Sequence, residues 1–138
     1  MVPKDAYYGI QTLRAVENFP ITGYKVNESL ITAIAIVKKS AAQANLAIGQ
    51  LDEQIAQAII QASDEIAAGQ FHDQFLVDPI QGGAGTSVNM NANEVIANRA
   101  LELIGQPKGN YQGISPNTHV NMICWRYCYI CLLVNGCN

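Results

Sequence analysis

Apolar side chains recur at helical spacing in three long stretches of this chain. The first stretch runs from Asn27, a suitable N-cap, to about Ile48, and Gly49 ends it. Its apolar residues alternate at spacings of four and three, and they are Leu30, Ile34, Val37, Ala41, Ala44 and Ile48. The pattern predicts an amphipathic helix about 30 Å long, with this stripe facing the core.

The second stretch begins after Asp52, another capping residue, and ends at Gly69, where a left-handed residue belongs. It places four apolar residues on one face, namely Ile55, Ile59, Ala62 and Ile66. Because the connection between the two stretches is short, we expect an antiparallel helical hairpin, and the many alanines allow its helices to approach closely. Stripes of this kind are typical of a protein core.

A third helix is predicted from about Asn91 to Gly105, and it directs inward the side chains of Ile96, Ala100 and Leu103. Residues 1–24 are interrupted by prolines and glycines, so we expect them to form an extended arm. Aromatic side chains would hold that arm on the core, and they are Tyr7, Tyr8 and Phe19. The predicted fold class is therefore mainly α, a helical domain whose irregular polar loops bind ligands.

Composition narrows the classes of partner. The chain has 138 residues, of which 49% are hydrophobic and 14% charged, and its formal net charge is −3. Since about a quarter of residues are charged in a typical soluble domain, the low fraction indicates surface buried against another subunit or domain. No basic patch suggests nucleic acid, no signal peptide is present, and the apolar run of about twelve residues after Met122 is too short for a membrane helix. We expect a cytoplasmic protein without nucleic-acid or membrane partners.

The clearest chemical signal is the segment DPIQGGAGTSVNMNANE, residues 78–94. Glycines at positions 82, 83 and 85 are followed by Thr86 and Ser87, by three alternating asparagines and by a helical pattern. Glycines let backbone N–H groups approach a ligand, and a helix start leaves such groups unpaired with a partial positive charge. Because the motif lacks the lysine of a phosphate loop, a small carboxylate fits it better than a nucleotide. An ordinary glycine turn capped by Thr86 or Ser87 is the simpler alternative.

A second polar run follows the third predicted helix. Five residues rich in side-chain donors lie within seven positions, and they are Ser115, Asn117, Thr118, His119 and Asn121. They form either a turn network or the second wall of a polar pocket. His119 is the only plausible proton carrier in this region.

Metal ligation is the alternative use of the other histidine and of the cysteines. His72 lies beside Asp73, but no second ligand follows at helical spacing, which favours a capping or surface histidine. All the cysteines lie in the tail, at Cys124, Cys128, Cys131 and Cys137, whereas a secreted disulfide framework would spread them across the fold. A zinc site, a hydrophobic strand or helix end, and a shifted reading frame are three interpretations of that tail. We predict no metal.

Three segments carry a resemblance to a known family. They are YYGIQTLRAVENFPITGY, FHDQFLVDPIQGGAGTSVNMNANEVIANRALE and SPNTHVNM, in this order. Together they resemble the aspartate ammonia-lyases, especially the Bacillus-type aspartases of the aspartase/fumarase superfamily. The resemblance covers residues 2–122, and its GGAGTS block is highly specific.

The resemblance implies a homotetramer whose active sites are each assembled from three subunits. Such enzymes remove ammonia from L-aspartate to give fumarate, without an organic cofactor. A base takes a proton from Cβ, and hydrogen-bond donors hold the resulting carbanion as an aci-carboxylate. Stabilising that developing charge explains a site made of hydroxyls, amides and backbone N–H groups.

The resemblance also assigns roles to individual residues. It makes Thr86 a donor to the substrate carboxylate, with Ser87 in the same motif and with Gly85 and Ala84 shaping the turn. Two residues match positions near a secondary anion site of the fumarase relatives, namely Asn117 and Ser115. Arg14, in the QTLRA motif, would face the active-site entrance, and His119 would be structural.

The chain departs from the family after Met122. Where the family continues with Ser-Gln-Ser-Thr-Asn-Asp, this chain has ICWRYC, and the family's downstream serine loop and helical bundle do not follow. We therefore expect residues 1–122 to be a lyase N-terminal domain, with an arm at 1–24 and helices at 27–105, and residues 123–138 to be a non-family tail. We expect this chain alone to be inactive. A fumarase-like lyase domain and a non-catalytic helical interaction module are the alternatives.

Overall fold

The computed structural model describes residues 2–81 and 85–122. Within these ranges the chain forms four α-helices, α1 (Ile10–Asn18), α2 (Glu28–Ala47), α3 (Glu53–Ala67) and α4 (Thr86–Leu103). A 3-10 turn at His72–Gln74 and a π-helical turn at Pro116–Val120 complete the described elements, and no strand occurs among them. The mainly α fold class is confirmed.

Helices α2 and α3 begin and end where their local capping signals lie. The Asn27 side chain accepts a hydrogen bond from the Ser29 amide at 2.8 Å, and the Asp52 carboxylate accepts from the amides of Gln54 and Ile55. Gly49 and Gly69 follow the two helices with φ of 70° and 98°, a left-handed conformation that favours glycine. The predicted helical hairpin is confirmed, because α2 and α3 pack against each other.

The inward face of α3 agrees with its apolar stripe, since Ile59, Ala62 and Ile66 are fully buried. The predicted face of α2 is right at its start, where Ile34 is buried and Leu30 packs on the core, and wrong at its end. Ile48 is 62% exposed, and the buried positions of α2 are Ile31, Ile34, Ala35, Lys38, Ala42 and Asn45. The polar members of this face are accommodated because the Lys38 ammonium donates to Asn121 Oδ1 at 2.8 Å and the Asn45 amide donates to the Met122 carbonyl at 3.2 Å.

The first 24 residues are not wholly an extended arm, because α1 occupies Ile10–Asn18 within them. The start of α1 has no capping side chain of its own, and a distant carboxylate replaces one. Glu94 of α4 accepts hydrogen bonds from the backbone amides of Gly9, Gln11 and Thr12 at 2.9–3.0 Å. These hydrogen bonds join residues 82–85 positions apart in the sequence, so no local sequence pattern predicted α1.

Helix α4 is the centre of the domain and begins five residues earlier than the predicted start at Asn91. The asparagines that follow the glycine turn lie inside this helix rather than before it. The Asn91 side chain accepts from the Leu76 amide and donates to the Gln74 carbonyl, and Asn98 donates to the Tyr7 carbonyl. These buried amides therefore join α4 to the loops around it. The predicted inward positions Ile96 and Ala100 are fully buried, and Leu103 is partly buried.

Candidate functional site

The glycine turn feeds directly into the first turn of α4. Gly85 is the N-cap and adopts a left-handed conformation with φ of 82°. Thr86 is exposed at the first helical position, and Ser87 after it is half-buried. Within residues 2–81 and 85–122 neither hydroxyl makes a hydrogen bond, so the alternative of a turn capped by Thr86 or Ser87 is wrong. Gly82, Gly83 and Ala84 lie outside the described residues.

The backbone amides of this first turn divide into two groups. The Asn89 amide bonds to the Gly85 carbonyl at 3.1 Å, and the Val88 amide bonds to Gln81 Oε1 at 2.9 Å. In the described part of the chain, the amides of Thr86 and Ser87 have no acceptor. Such unpaired N–H groups carry the partial positive charge of a helix start. Among the described residues, the start of α4 therefore has two backbone amides and two hydroxyls that make no hydrogen bond.

Asp78 holds the chain that enters this turn. Its carboxylate is buried and accepts hydrogen bonds from the Thr22 amide at 2.6 Å, the Thr22 hydroxyl at 2.9 Å, the Gly23 amide at 3.0 Å and the Ile80 amide at 2.8 Å. Burial raises the pKa of this carboxyl, but the hydrogen bonds from Thr22, Ile80 and Gly23 outweigh burial and lower the pKa to about 2. The charged carboxylate thus connects residues 22–23 to the segment at Asp78–Ile80 at neutral pH.

A buried polar junction lies beside the first turns of α4. The Lys38 side chain is fully buried, and its ammonium and the Asn89 side-chain amide both donate to Asn121 Oδ1, at 2.8 and 3.2 Å. Sequence reasoning did not single out Lys38 as a buried residue. Its position four residues after Ile34, three after Ala35 and seven after Ile31 could have placed it on the buried stripe.

The polar run at 115–121 is a turn network. Ser115 caps the π-helical turn, since its Oγ accepts from the Thr118 amide at 3.2 Å, and the Ser115 amide donates to His119 Nδ1 at 2.9 Å. His119 Nδ1 is therefore used as an acceptor within the turn, which agrees with a structural role. Asn117 is exposed, and within the described ranges its side chain makes no hydrogen bond.

Among the described residues, no hydrogen bond or ion pair joins the remaining candidates to Gly85, Thr86 or Ser87. Arg14 is exposed on α1 and forms no hydrogen bond or ion pair with any described residue. His72 Nε2 lies 2.8 Å from the Ile66 carbonyl near the end of α3, as a capping histidine would. Among residues 2–81 and 85–122, no three metal-binding side chains lie together. The cysteines fall outside the described residues.

No helix in the described ranges combines the length and the apolar character needed to cross a membrane.

Comparison with known proteins shows which family this chain resembles. The chain is 67% identical over 121 residues to the aspartate ammonia-lyase of Bacillus sp and 69% identical over 121 residues to that of Bacillus subtilis (strain 168). Both alignments cover 88% of this chain and 26% of the relative, so the chain spans about a quarter of the length of these relatives.

A solved structure agrees with this similarity. The crystal structure of fumarate lyase:delta crystallin from Brucella melitensis in native form superimposes with a TM-score of 0.86 and 58% identity. It covers 88% of this chain and 29% of the other. A family model described as Lyase matches residues 1–126, a range that includes every residue that the structure describes. The chain therefore belongs to the lyase family.

Proposed function

We propose that this chain is the N-terminal domain of an aspartate ammonia-lyase, which converts L-aspartate to fumarate and ammonia by β-elimination. The observation that carries the proposal is the start of α4, where Thr86 is exposed and the amides and hydroxyls of Thr86 and Ser87 have no acceptors among the described residues. The identity of 67–69% to aspartate ammonia-lyases supports aspartate as the substrate. In this proposal residues 1–122 form the lyase domain, and residues 123–138 are a tail outside it.

The turn would bind a carboxylate of the substrate. Gly85 has no side chain to obstruct the anion, and the helix start supplies positive potential without a lysine. The Thr86 hydroxyl would donate to one carboxylate oxygen, beside the amides of Thr86 and Ser87. Donors held in place before the reaction are effective where negative charge develops, because they need little reorganisation.

Three further residues take supporting roles in the proposal. Ser115 Oγ accepts from the Thr118 amide, which leaves its own O–H free to donate, and Asn117 is exposed beside it. We assign both to an outer anion position. Arg14 is an exposed cation that would attract dicarboxylates to the entrance.

We further propose that the 138-residue chain alone does not turn over aspartate. His119 Nδ1 already accepts a hydrogen bond from its own turn, and no other described histidine lies at the α4 turn, since His72 contacts the end of α3. The proton-abstracting base and the rest of the carboxylate clamp would come from other segments of a homo-oligomer, a tetramer in the family. No organic cofactor is required, and a cytoplasmic location is part of this proposal.

Carboxylate binding is tested by NMR titration of the 15N-labelled chain with fumarate. We expect the amide signals of Thr86 and Ser87 to shift, and the Thr86→Val variant, which keeps the shape but loses the hydroxyl, to bind about tenfold more weakly, as expected for loss of a hydrogen bond to a charged group. Thr118→Val is the matched control, because Thr118 is an exposed threonine outside the first turn of α4. Equal weakening in both variants, or no shift at Thr86 in the unaltered chain, would contradict the site.

A further inference from the structure

The side chain of Gln81 bridges the two ends of the glycine turn. Its Oε1 accepts from the Val88 amide at 2.9 Å, and its Nε2 donates to the Asp78 carbonyl at 3.2 Å. Both halves of the side-chain amide are therefore in use, and the side chain is half-buried. It acts as a helix cap supplied from seven residues before the amide that it satisfies.

This bridge determines which amides face an incoming anion. If Val88 N–H were free, three consecutive amides would compete for one ligand, and the anion would have more than one position. With Val88 N–H satisfied by Gln81, the unpaired amides of the first turn in the described chain are those of Thr86 and Ser87. Because the capping group is a neutral amide, it does not cancel the positive potential of the helix start as a carboxylate would.

Asp78 anchors the same bridge to the rest of the domain. Its carbonyl receives the Gln81 side chain, and its carboxylate holds Thr22, Gly23 and Ile80 through the hydrogen bonds described above. A continuous series of contacts therefore runs from residues 22–23 through Asp78 and Gln81 to Val88. Side-chain hydrogen bonds thus connect the first turn of α4 to the segment before the glycines.

We propose that Gln81 is a positioning residue of the carboxylate-binding turn: by occupying the Val88 amide it directs the substrate carboxylate to Thr86 and Ser87. This inference rests on the proposed function, because it assumes that the turn binds a carboxylate. It assigns no contact between Gln81 and the substrate.

The test uses the complete 138-residue chain, with succinate as an unreactive dicarboxylate probe. Gln81→Met removes both hydrogen bonds and keeps the length of the side chain, whereas Gln81→Glu keeps an oxygen acceptor for Val88 but adds a negative charge. Gln112→Met is the matched control, because Gln112 is exposed and makes no hydrogen bond in the described part of the chain. Two quantities are measured by NMR, namely the hydrogen-exchange rate of the Val88 amide and the succinate-induced shifts of the amides at positions 86–88.

We expect the Val88 amide to exchange about fivefold faster in Gln81→Met, as for loss of a helix cap, and to remain protected in Gln81→Glu. Succinate is expected to bind about fivefold more weakly to Gln81→Met, with Val88 joining the amides that shift, by the same loss. In Gln81→Glu we expect succinate to bind more weakly while the exchange rate of the Val88 amide stays low. The Gln81→Glu variant therefore measures the effect of charge at position 81, and the comparison of Gln81→Met with Gln112→Met measures the positioning role.

Two outcomes would overturn the inference while leaving the carboxylate site intact. One is succinate binding to Gln81→Met that equals binding to Gln112→Met, and the other is an unchanged exchange rate of Val88 in Gln81→Met. A different result, the absence of any succinate-induced shift at Thr86 and Ser87 in the unaltered chain, would overturn the proposed carboxylate site itself. The two failures are thereby distinguished.

Discussion

Glu94 of α4 and Thr12 of α1 meet through one carboxylate oxygen, which lies 2.6 Å from the Thr12 hydroxyl and 3.0 Å from the Thr12 amide. Both residues are buried, with exposures of 1% and 0%. The same carboxylate accepts from the amides of Gly9 and Gln11, so it supplies the N-terminal cap that α1 lacks in its own sequence. Helix α1, with Arg14 on it, is therefore held in place by α4.

Replacing Glu94 by glutamine should destabilise the domain by about 2–3 kcal/mol. The glutamine loses the hydrogen bonds that the buried carboxylate accepts, and its side-chain NH2 group, a donor, then faces backbone N–H groups that are also donors. Urea unfolding followed by circular dichroism measures the change. Glu17→Gln is the control, since Glu17 is exposed on α1, and we expect its effect to stay within about 0.5 kcal/mol. Similar unfolding midpoints for the two variants would contradict the capping role of Glu94.

The same contact makes Gly9 sensitive to any side chain. A Cβ built on Gly9 would lie 2.6 Å from Glu94 Cδ and 2.7 Å from the Tyr111 hydroxyl, both shorter than van der Waals contact. Gly9→Ala should therefore cost about 1–3 kcal/mol through overpacking, measured as the loss of unfolding free energy in urea. Its backbone φ of −115° is ordinary, so the cause would be steric and not conformational.

Gly49→Ala provides the comparison for Gly9→Ala. A Cβ at Gly49 meets no atom within 4 Å, but the residue has φ of 70°, so alanine there should cost about 1 kcal/mol through backbone strain alone. A double variant with Glu94→Ala separates the two causes, because removing the carboxylate should relieve part of the Gly9→Ala penalty and none of the Gly49→Ala penalty. Simple additivity in the first pair would contradict the steric explanation.

Asp78 predicts a pH dependence of stability. Its folded-state pKa is lowered from 3.8 to about 2, because its hydrogen bonds outweigh burial, so the folded state binds the proton less readily than the unfolded chain. The resulting stabilisation is fully present above the unfolded pKa and is lost as the pH falls through the folded pKa. We expect the unfolding free energy to decrease from about pH 5 to about pH 2, and to decrease less steeply in Asp78→Asn.

Thermal unfolding across this pH range provides the measurement, with Asp5→Asn as the control. Asp5 is exposed, and its side chain accepts no hydrogen bond within residues 2–81 and 85–122. If Asp78→Asn and Asp5→Asn changed the slope of stability against pH equally, the hydrogen bonds from residues 22, 23 and 80 would not be the cause.

Arg99 joins three elements through a planar fork that lysine cannot reproduce. Its Nε and Nη2 donate to the two oxygens of Glu65 at 2.6 and 3.1 Å, its Nη1 donates to Glu102, and its guanidinium lies 5.6 Å from the centre of the Phe71 ring. The ion pairs with Glu65 and Glu102 raise the pKa of Arg99, against the effect of burial, so the charge persists at all relevant pH values. Arg99→Lys should lower stability by about 1–2 kcal/mol.

Salt titration tests this assignment. The destabilisation by Arg99→Lys should become smaller in about 1 M salt, where the screening length falls to about 3 Å, because part of the lost energy is electrostatic. Arg14→Lys is the control for a general arginine effect, since Arg14 is exposed and unpaired among the described residues. If the loss of unfolding free energy in Arg99→Lys did not change with salt, its main origin would be lost packing of the side chain on Phe71.

Local sequence signals were sufficient to predict the helical hairpin and the start of a helix after the glycines. Asn27 and Asp52 cap the helices that follow them, and Gly49 and Gly69 terminate those helices, because each interaction lies within one turn of the chain. The glycines before a helix were likewise recognisable, and Thr86, the proposed carboxylate donor, is exposed at the first helical position. The residues that hold this turn, Asp78 and Gln81, carried no recognisable signal.

Tertiary structure decided the features that depend on distant partners. Helix α1 forms where prolines and glycines suggested an arm, because Glu94 satisfies amides 82–85 residues away. Helix α2 buries Lys38 and Asn45 because Asn121 and Met122 supply their acceptors. A periodic pattern identifies a helix and its ends, but a polar residue can join the buried face once a remote group satisfies it. That condition exists only in the folded chain.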